Sequence, residues 1–210
     1  MKEYSFEGAQ DWHHYFKIIF DNFKVRNMLE FGLGNGTEFL LDHCNTVTSV
    51  EISLGDYNKS WYSMCLKKYS HYNNWNPIYI EACDEIREAN EIAQKNRYPI
   101  SYNKHLSKLE EITDLVLSDH EYDAIFVDAG IHNRGDILNL VMGKAPIIAA
   151  HDSSRDENRI LKNIYGYNIV RVPSDYLEFH FEDTYMGTTI WVKKDFNSNV
   201  ISSLSGRLNK

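Results

Sequence analysis

Four side chains in the second half of the chain have the types and spacing for chemistry. Asp128 ends the apolar run YDAIFVD, His132 follows it in the next loop, and His151 and Asp152 end the run PIIAAHD. If the two runs are adjacent parallel strands, their ends bring two carboxylates and an imidazole to one cleft. Asp128, His151 and Asp152 are then candidate ligands for a divalent cation, which would align a substrate hydroxyl and lower its pKa. Carboxylates suit Mg²⁺, whereas the histidine moves the preference towards Mn²⁺, Fe²⁺ or Zn²⁺. The competing reading is that Asp128 and Asp152 orient backbone and substrate with no metal. An imidazole that titrates near neutrality suits removal of the hydroxyl proton. His132 is the first candidate for that base and His151 the second.

A second constellation lies in MLEFGLGNGTEF, residues 28–39. Gly32, Gly34 and Gly36 follow an apolar run, and Glu30 stands just before them. A dinucleotide loop needs a third glycine where this chain has Thr37, because that glycine lets helix and strand pack closely. Glu51 ends the next apolar run, where a carboxylate can accept hydrogen bonds from ribose hydroxyls. Glu30 lies too early in its strand for that task, but it suits an ammonium or the backbone of a bound amino acid. The ligand expected is a nucleoside with a charged amino-acid arm. The alternatives are a tight turn at 32–36 and a solvated strand end at Glu51.

The elements that must position these groups follow from periodicity. Trp12, Tyr15, Phe16, Ile19, Phe20 and Phe23 recur at helical spacing. A strand at 27–31, the glycine loop, a helix at 37–43 and the strand TVTSVEI follow. Tyr57, Trp61, Met64, Cys65 and Tyr69 mark a further helix; PIYIEA reads as a strand and residues 84–95 as a helix. Residues 97–120 read as a helical insertion containing HLSKLEEITDLVL. After the strand YDAIFVDA, HNRGDILNLVM is a helix with Asn133 as its expected cap and Asp136 in its first turn. APIIAAHD is a strand and 156–164 a helix. YNIVRV and GTTIWVKK read as the last two strands, an antiparallel hairpin. SDYLEFHFEDTY, between them, reads as an edge strand and turn, with an aromatic substrate wall as the alternative. Alternating strands and helices predict an α/β domain with a mainly parallel sheet, its ligands at the strands' carboxyl ends. One domain spans 1–210, with residues 1–25 as an N-terminal helix and lid. His13 and His14 need not be ligands, although Gln10 to His14 are placed to line a pocket. Arg134 and Arg155 flank the active face and read as isolated surface charges, with binding of an anionic group as the alternative.

Composition narrows the partners. With 43% hydrophobic and 25% charged residues over 210 positions, the chain is an ordinary globular one. A net charge of −8 offers no general basic footprint and disfavours nucleic acid as the partner. Cys44, Cys65 and Cys83 have no paired spacing, so reduced thiols in the cytoplasm are expected. No apolar run approaches a membrane span, and the polar N-terminus is unlike a signal peptide.

LEFGLGNG with SVEI, YDAIFVDAG and IIAAHD resembles class I S-adenosylmethionine (AdoMet)-dependent methyltransferases over roughly residues 25–155. Within that family it is most similar to small-molecule O-methyltransferases of sugar, natural-product and catechol type. The resemblance implies a Rossmann-like fold: a seven-stranded, mainly parallel sheet, an antiparallel C-terminal hairpin strand and helices on both faces. It implies AdoMet as cofactor, with Glu30, Gly32, Gly34, Asn35 and Gly36 around the methionine moiety and Asp128 as a further cofactor-binding residue. Glu51 would then hold the ribose and Ile52 pack on the adenine, edged by Cys83 and Asp84. Cys83 could instead be simple packing and Asp84 a helix cap. Catechol-type members carry D…D-N at the later strand ends and certain sugar-modifying members D…E-D; this chain carries D…H-D, which puts the Mg²⁺ or Mn²⁺ in question. VDAG stands where amino-methylating DNA enzymes carry (D/N)PP(Y/F), so a hydroxyl of a small molecule or sugar is the expected acceptor. Rival readings are an aminopropyltransferase using decarboxylated AdoMet and a methyltransferase-like subunit without turnover. A homodimer is an open expectation.

Overall fold

Uninterrupted apolar runs make parallel strands buried on both faces, and two such runs, AIFV and IIAA, form adjacent strands at the centre of this molecule. The computed structural model describes residues 12–96, 103–118, 120–155, 165–182 and 186–208. In chain order the elements are α1 (His13–Asn22), β1 (Asn27–Phe31), α2 (Thr37–His43), β2 (Thr46–Ser53), α3 (Asp56–Tyr69), β3 (Trp75–Glu81), α4 (Asp84–Asn96), α5 (Lys104–Leu117), β4 (Ala124–Val127), α6 (Arg134–Val141), β5 (Ile147–His151), β6 (Tyr176–Phe181), β7 (Thr188–Lys193) and α7 (Ser198–Leu208). The strands form one seven-stranded sheet in the order β3-β2-β1-β4-β5-β7-β6. Pairing is parallel from β3 to β5 and antiparallel at β5–β7 and β7–β6. The expected fold class is therefore the observed one.

The strand period of two sorts side chains to two cores. Met28, Val47, Phe126, Ala149 and Ile190 pack with Phe16, Leu40, Tyr69 and Leu204, so α1, α2, α3 and α7 cover one face. Leu29, Val50, Ile125, Ile148 and Trp191 pack with Ile86, Leu109 and Leu138, from α4, α5 and α6 on the other. Register fixes the site: Val127 pairs with Ala150, which sets Asp128 beside His151 at the carboxyl edge. Glu30 lies level with Ser49 and Phe126, facing the side of α1 and α2.

Four local expectations change. YNIVRV is not a strand. Gly166, at φ +74°, opens a single 3-10 turn over Tyr167–Ile169, and Asn139 of α6 takes the segment's backbone groups. Its Nδ2 donates to the Ile169 carbonyl (3.1 Å), and its Oδ1 accepts from the Arg171 amide (2.8 Å). The edge strand is instead YLEFHF, inside the segment read as edge strand and turn, with Tyr176, Phe179 and Phe181 turned inwards. Asn133 sits at the start of α6 but makes no side-chain cap; its amide donates to Asp136 at 3.4 Å. The C-terminal helix α7 was not expected, because SNVISSLSGRL is largely polar. It is anchored by Val200 and Leu204, and Asn197 Oδ1 accepts from the amides of Asn199 and Val200. The helix expected at 156–164 lies outside the described residues.

Candidate functional site

The glycine loop is a braced structure. Gly32 has φ +91°, and a Cβ there would lie 2.4 Å from the Asp128 carbonyl oxygen, so only glycine fits where the chain leaving β1 passes the chain leaving β4. The Gly32 amide donates to the Val50 carbonyl at 2.8 Å. Helix α3 holds the next three residues from one face. Trp61 Nε1 donates to the Leu33 carbonyl (2.7 Å), the Tyr69 hydroxyl to the Gly34 carbonyl (2.7 Å), and Lys68 Nζ to Asn35 Oδ1 (3.0 Å). Thr37, read from sequence only as a missing glycine, is a brace. Its hydroxyl accepts from the Gly34 amide (2.9 Å) and donates to the Glu30 carboxylate at 3.0 and 3.1 Å. Ser49 donates to the same carboxylate at 2.7 Å. Glu30 is buried, and desolvation outweighs both hydroxyls, pushing its pKa up to about 8.

A cavity of about 250 Å³ opens on this loop. Trp12, Glu30, Trp61 and Asp128 line it with residues 32–36. Trp12 closes tightly: a Cβ at Gly36 would lie 2.5 Å from its indole. His13 is buried against Phe39, with ring centroids 4.3 Å apart, while His14 is exposed. Trp12 falls within the stretch Gln10 to His14 read as able to line a pocket, whereas Trp61 was marked only by its helical stripe of aromatics.

Glu51 sits beside the loop at the carboxyl end of β2. Its Oε1 accepts from Asn58 Nδ2 at 2.9 Å and its Oε2 from the Leu33 amide at 3.4 Å. Burial raises its pKa against those two bonds. Ile52 is buried in the core cluster that contains Ile86. Cys83 is half-buried, and the Asp84 carboxylate is exposed with Arg87 Nη1 3.6 Å away. None of Glu51, Ile52, Cys83 and Asp84 is among the residues lining the cavity.

The polar cluster assembles at the β4 and β5 ends. One ligand atom from each of Asp128, His151 and Asp152 lies within 4.8 Å of the others, a set compatible with a divalent cation by position. His151 Nδ1 is 3.6 Å from Asp128 Oδ1 and 3.5 Å from Asp152 Oδ1. Asp152 has φ +56°, a left-handed turn that bends the chain where β5 ends. Arg134 corrects the surface-charge reading. It is only 5% exposed, and its Nη1 donates to Asp128 Oδ1 (3.0 Å), Asp152 Oδ2 (2.8 Å) and the His151 carbonyl (3.3 Å). Its Nε donates to the Ala129 carbonyl at 2.6 Å. The donor set as it stands therefore does not fit a further cation between the two carboxylates. Desolvation works against ionised Asp128, yet Arg134 and His151 bring its pKa below the ordinary value. Arg155 is not isolated either, since its guanidinium pairs with Glu178 and its amide donates to Glu182.

His132 is half-buried and is not among the residues lining the cavity. Its backbone amide donates to Asn90 Oδ1 at 2.7 Å, and its ring stacks on Tyr165 at 5.5 Å. Burial, then the Arg134 charge, lowers its pKa, so the neutral imidazole is favoured.

No family model and no curated protein sequence matches the chain. Solved structures do. A Staphylococcus aureus protein provisionally described as a caffeoyl-CoA O-methyltransferase is 15% identical, with 86% of this chain and 80% of that one covered, at a TM-score of 0.52. The SAH-bound methyltransferase PaMTH1 of Podospora anserina is 14% identical over 88% and 77%, also at 0.52. A methyltransferase-like protein of Silicibacter pomeroyi is 10% identical over 94% and 96%, at 0.53. At these identities the likeness is one of fold, and the chain has the Rossmann-like, seven-stranded fold of the class I methyltransferases.

Proposed function

We propose that the chain binds AdoMet at the glycine loop and transfers its methyl group to an oxygen of a small molecule. The observation that carries this is the braced loop at the β1 end, flanked by two carboxylates and two indoles. Those groups fit a cationic ligand: Asp128 offers opposite charge, Glu30 does so once the cationic arm draws off its proton, and indole faces attract cations. Bound there, AdoMet would supply an electrophilic methyl group. Glu30, Asn35, Asp128 and the backbone of 32–36 would bind its amino-acid arm. Glu51 would take the ribose, its carboxylate already aimed by Asn58 and the Leu33 amide. Ile52, Cys83 and Asp84 mark the adenine side, and Trp12, at the start of α1, is the part of the expected N-terminal lid that lines the cavity; residues 1–11 lie outside the described residues.

Holding the acceptor oxygen in line accounts for most of the catalysis. His132 takes the acceptor's proton: burial and then the Arg134 charge lower its pKa, so the imidazole is neutral and has a lone pair to accept it. His151, only 1% exposed, is the second choice. The acceptor is a phenol- or sugar-like hydroxyl, and we place the enzyme in the cytoplasm with its cysteines reduced. Among the described residues no helix is long and apolar enough to cross a membrane.

Calorimetry tests the reading. AdoMet and S-adenosylhomocysteine should bind and NAD should not. Glu51→Ala should weaken AdoMet binding about tenfold or more, the scale of a lost hydrogen bond to a charged group. Tight NAD binding, or consumption of decarboxylated AdoMet in preference to AdoMet, would overturn it. A labelled-methyl screen over phenols, sugars and nucleotides identifies the acceptor.

A further inference from the structure

The cluster at the β4 and β5 ends already contains a cation. Two carboxylates held this close in a partly desolvated site need positive charge between them. Arg134 supplies it through one nitrogen that reaches both Asp128 and Asp152. A guanidinium cannot be titrated away in a protein and, being tethered, does not dissociate. A divalent ion entering beside it would face a buried like charge.

The side chain is clamped on several sides. Nε is committed to the Ala129 carbonyl, and Nη1 also reaches the His151 carbonyl. The Tyr165 ring covers the guanidinium at 4.1 Å. That ring is kept in place by the next residue of α6: the Gly135 amide donates to the Tyr165 carbonyl at 2.8 Å. A Cβ at Gly135 would lie 2.0 Å from the Gly166 carbonyl oxygen, so glycine is what lets the segment close over Arg134. Tyr165 carries the stacked His132 on the same ring. Arg134 thus fixes both carboxylates and, through Tyr165, the His132 imidazole.

We propose that Arg134 is the resident cation of the acceptor site, a positioning residue that stands where a divalent metal would otherwise bridge Asp128 and Asp152. The site is then built to work without metal. Its catalytic consequence rests on the methyltransferase reading above, but its charge arrangement does not.

The test is an Mn²⁺ titration of the full chain followed by electron paramagnetic resonance. The wild type should leave Mn²⁺ free. Arg134→Ala should bind it at least about tenfold more tightly, and Arg134→Ala/Asp152→Asn should lose it again. Added guanidinium ion should compete with Mn²⁺ in Arg134→Ala and restore part of its methyl transfer, a response that a merely structural role would not give. Wild-type Mn²⁺ binding that disappears in Asp152→Asn would overturn the proposal, as would Arg134→Ala that folds but gains no Mn²⁺. If Arg134→Ala does not fold, the wild type against Asp152→Asn decides alone. Absent AdoMet binding with Mn²⁺ still free would sink the methyltransferase reading and leave this one standing.

Discussion

Glu30 and Asp128 face the same cavity with opposite proton affinities. Burial lifts Glu30 to about 8, whereas Arg134 and His151 keep Asp128 below the ordinary carboxylate range. An acid whose folded pKa lies above its unfolded value favours the folded state at low pH. Stability is therefore lost as pH rises from the unfolded pKa of 4.5 towards 8, then levels off. A cationic amino-acid arm placed beside Glu30 would pull the proton off. AdoMet affinity should thus rise between pH ~6 and ~8 with net proton release, measured by calorimetry in buffers of different ionisation enthalpy. Glu30→Gln should flatten that profile; an unchanged slope in the variant would remove Glu30 as its source. Little of this was legible beforehand. The spacing marked Glu30 for an amino-acid arm, but the hydroxyls of Thr37 and Ser49 that hold it were not among the candidates. Ser49 reaches it only because β1 and β2 pair with those residues level.

At the scale of elements, α3 determines the shape of the glycine loop. Trp61, Lys68 and Tyr69 share a helical face and grip three consecutive loop residues. The three glycines therefore do different work. Gly32→Ala must place a Cβ 2.4 Å from a backbone oxygen at positive φ, whereas at Gly34 the nearest atom is the Trp61 ring at 3.5 Å. Gly32→Ala should cost about 1–3 kcal/mol or more in denaturant unfolding and weaken AdoMet binding; Gly34→Ala should stay within about 1 kcal/mol. Equal effects at the two positions would show that the close approach of Gly32 to Asp128 does not set the loop. The spacing GxGxG marked the loop correctly but gave no means of ranking its glycines. That ranking comes from β4, whose closest approach is made by Asp128 and Ala129, far along the chain.

Over the whole molecule, the long apolar runs and the α/β alternation were legible because each is a local pattern with a global consequence. The edge of the sheet was harder. YNIVRV and YLEFHF are both rich in strand-forming residues, and what separates them is Asn139, an α6 side chain that takes the backbone groups of the first. Arg134 was misjudged for the same reason. Its charge shows in the sequence, but its burial follows from β4–β5 pairing, which gathers partners up to eighteen residues away. Trp12 belongs with these long-range effects, since α1 carries it across the sheet edge to Gly36. With Trp61 also lining it, the cavity has two indoles in its wall, one of them hydrogen-bonded to the loop itself. The molecule thus carries its own optical gauge. Ligand entry should shift and quench tryptophan emission without any label, and Trp61→Phe should remove a large part of the signal. An emission spectrum indifferent to saturating AdoMet would mean that the ligand never reaches the space between those rings.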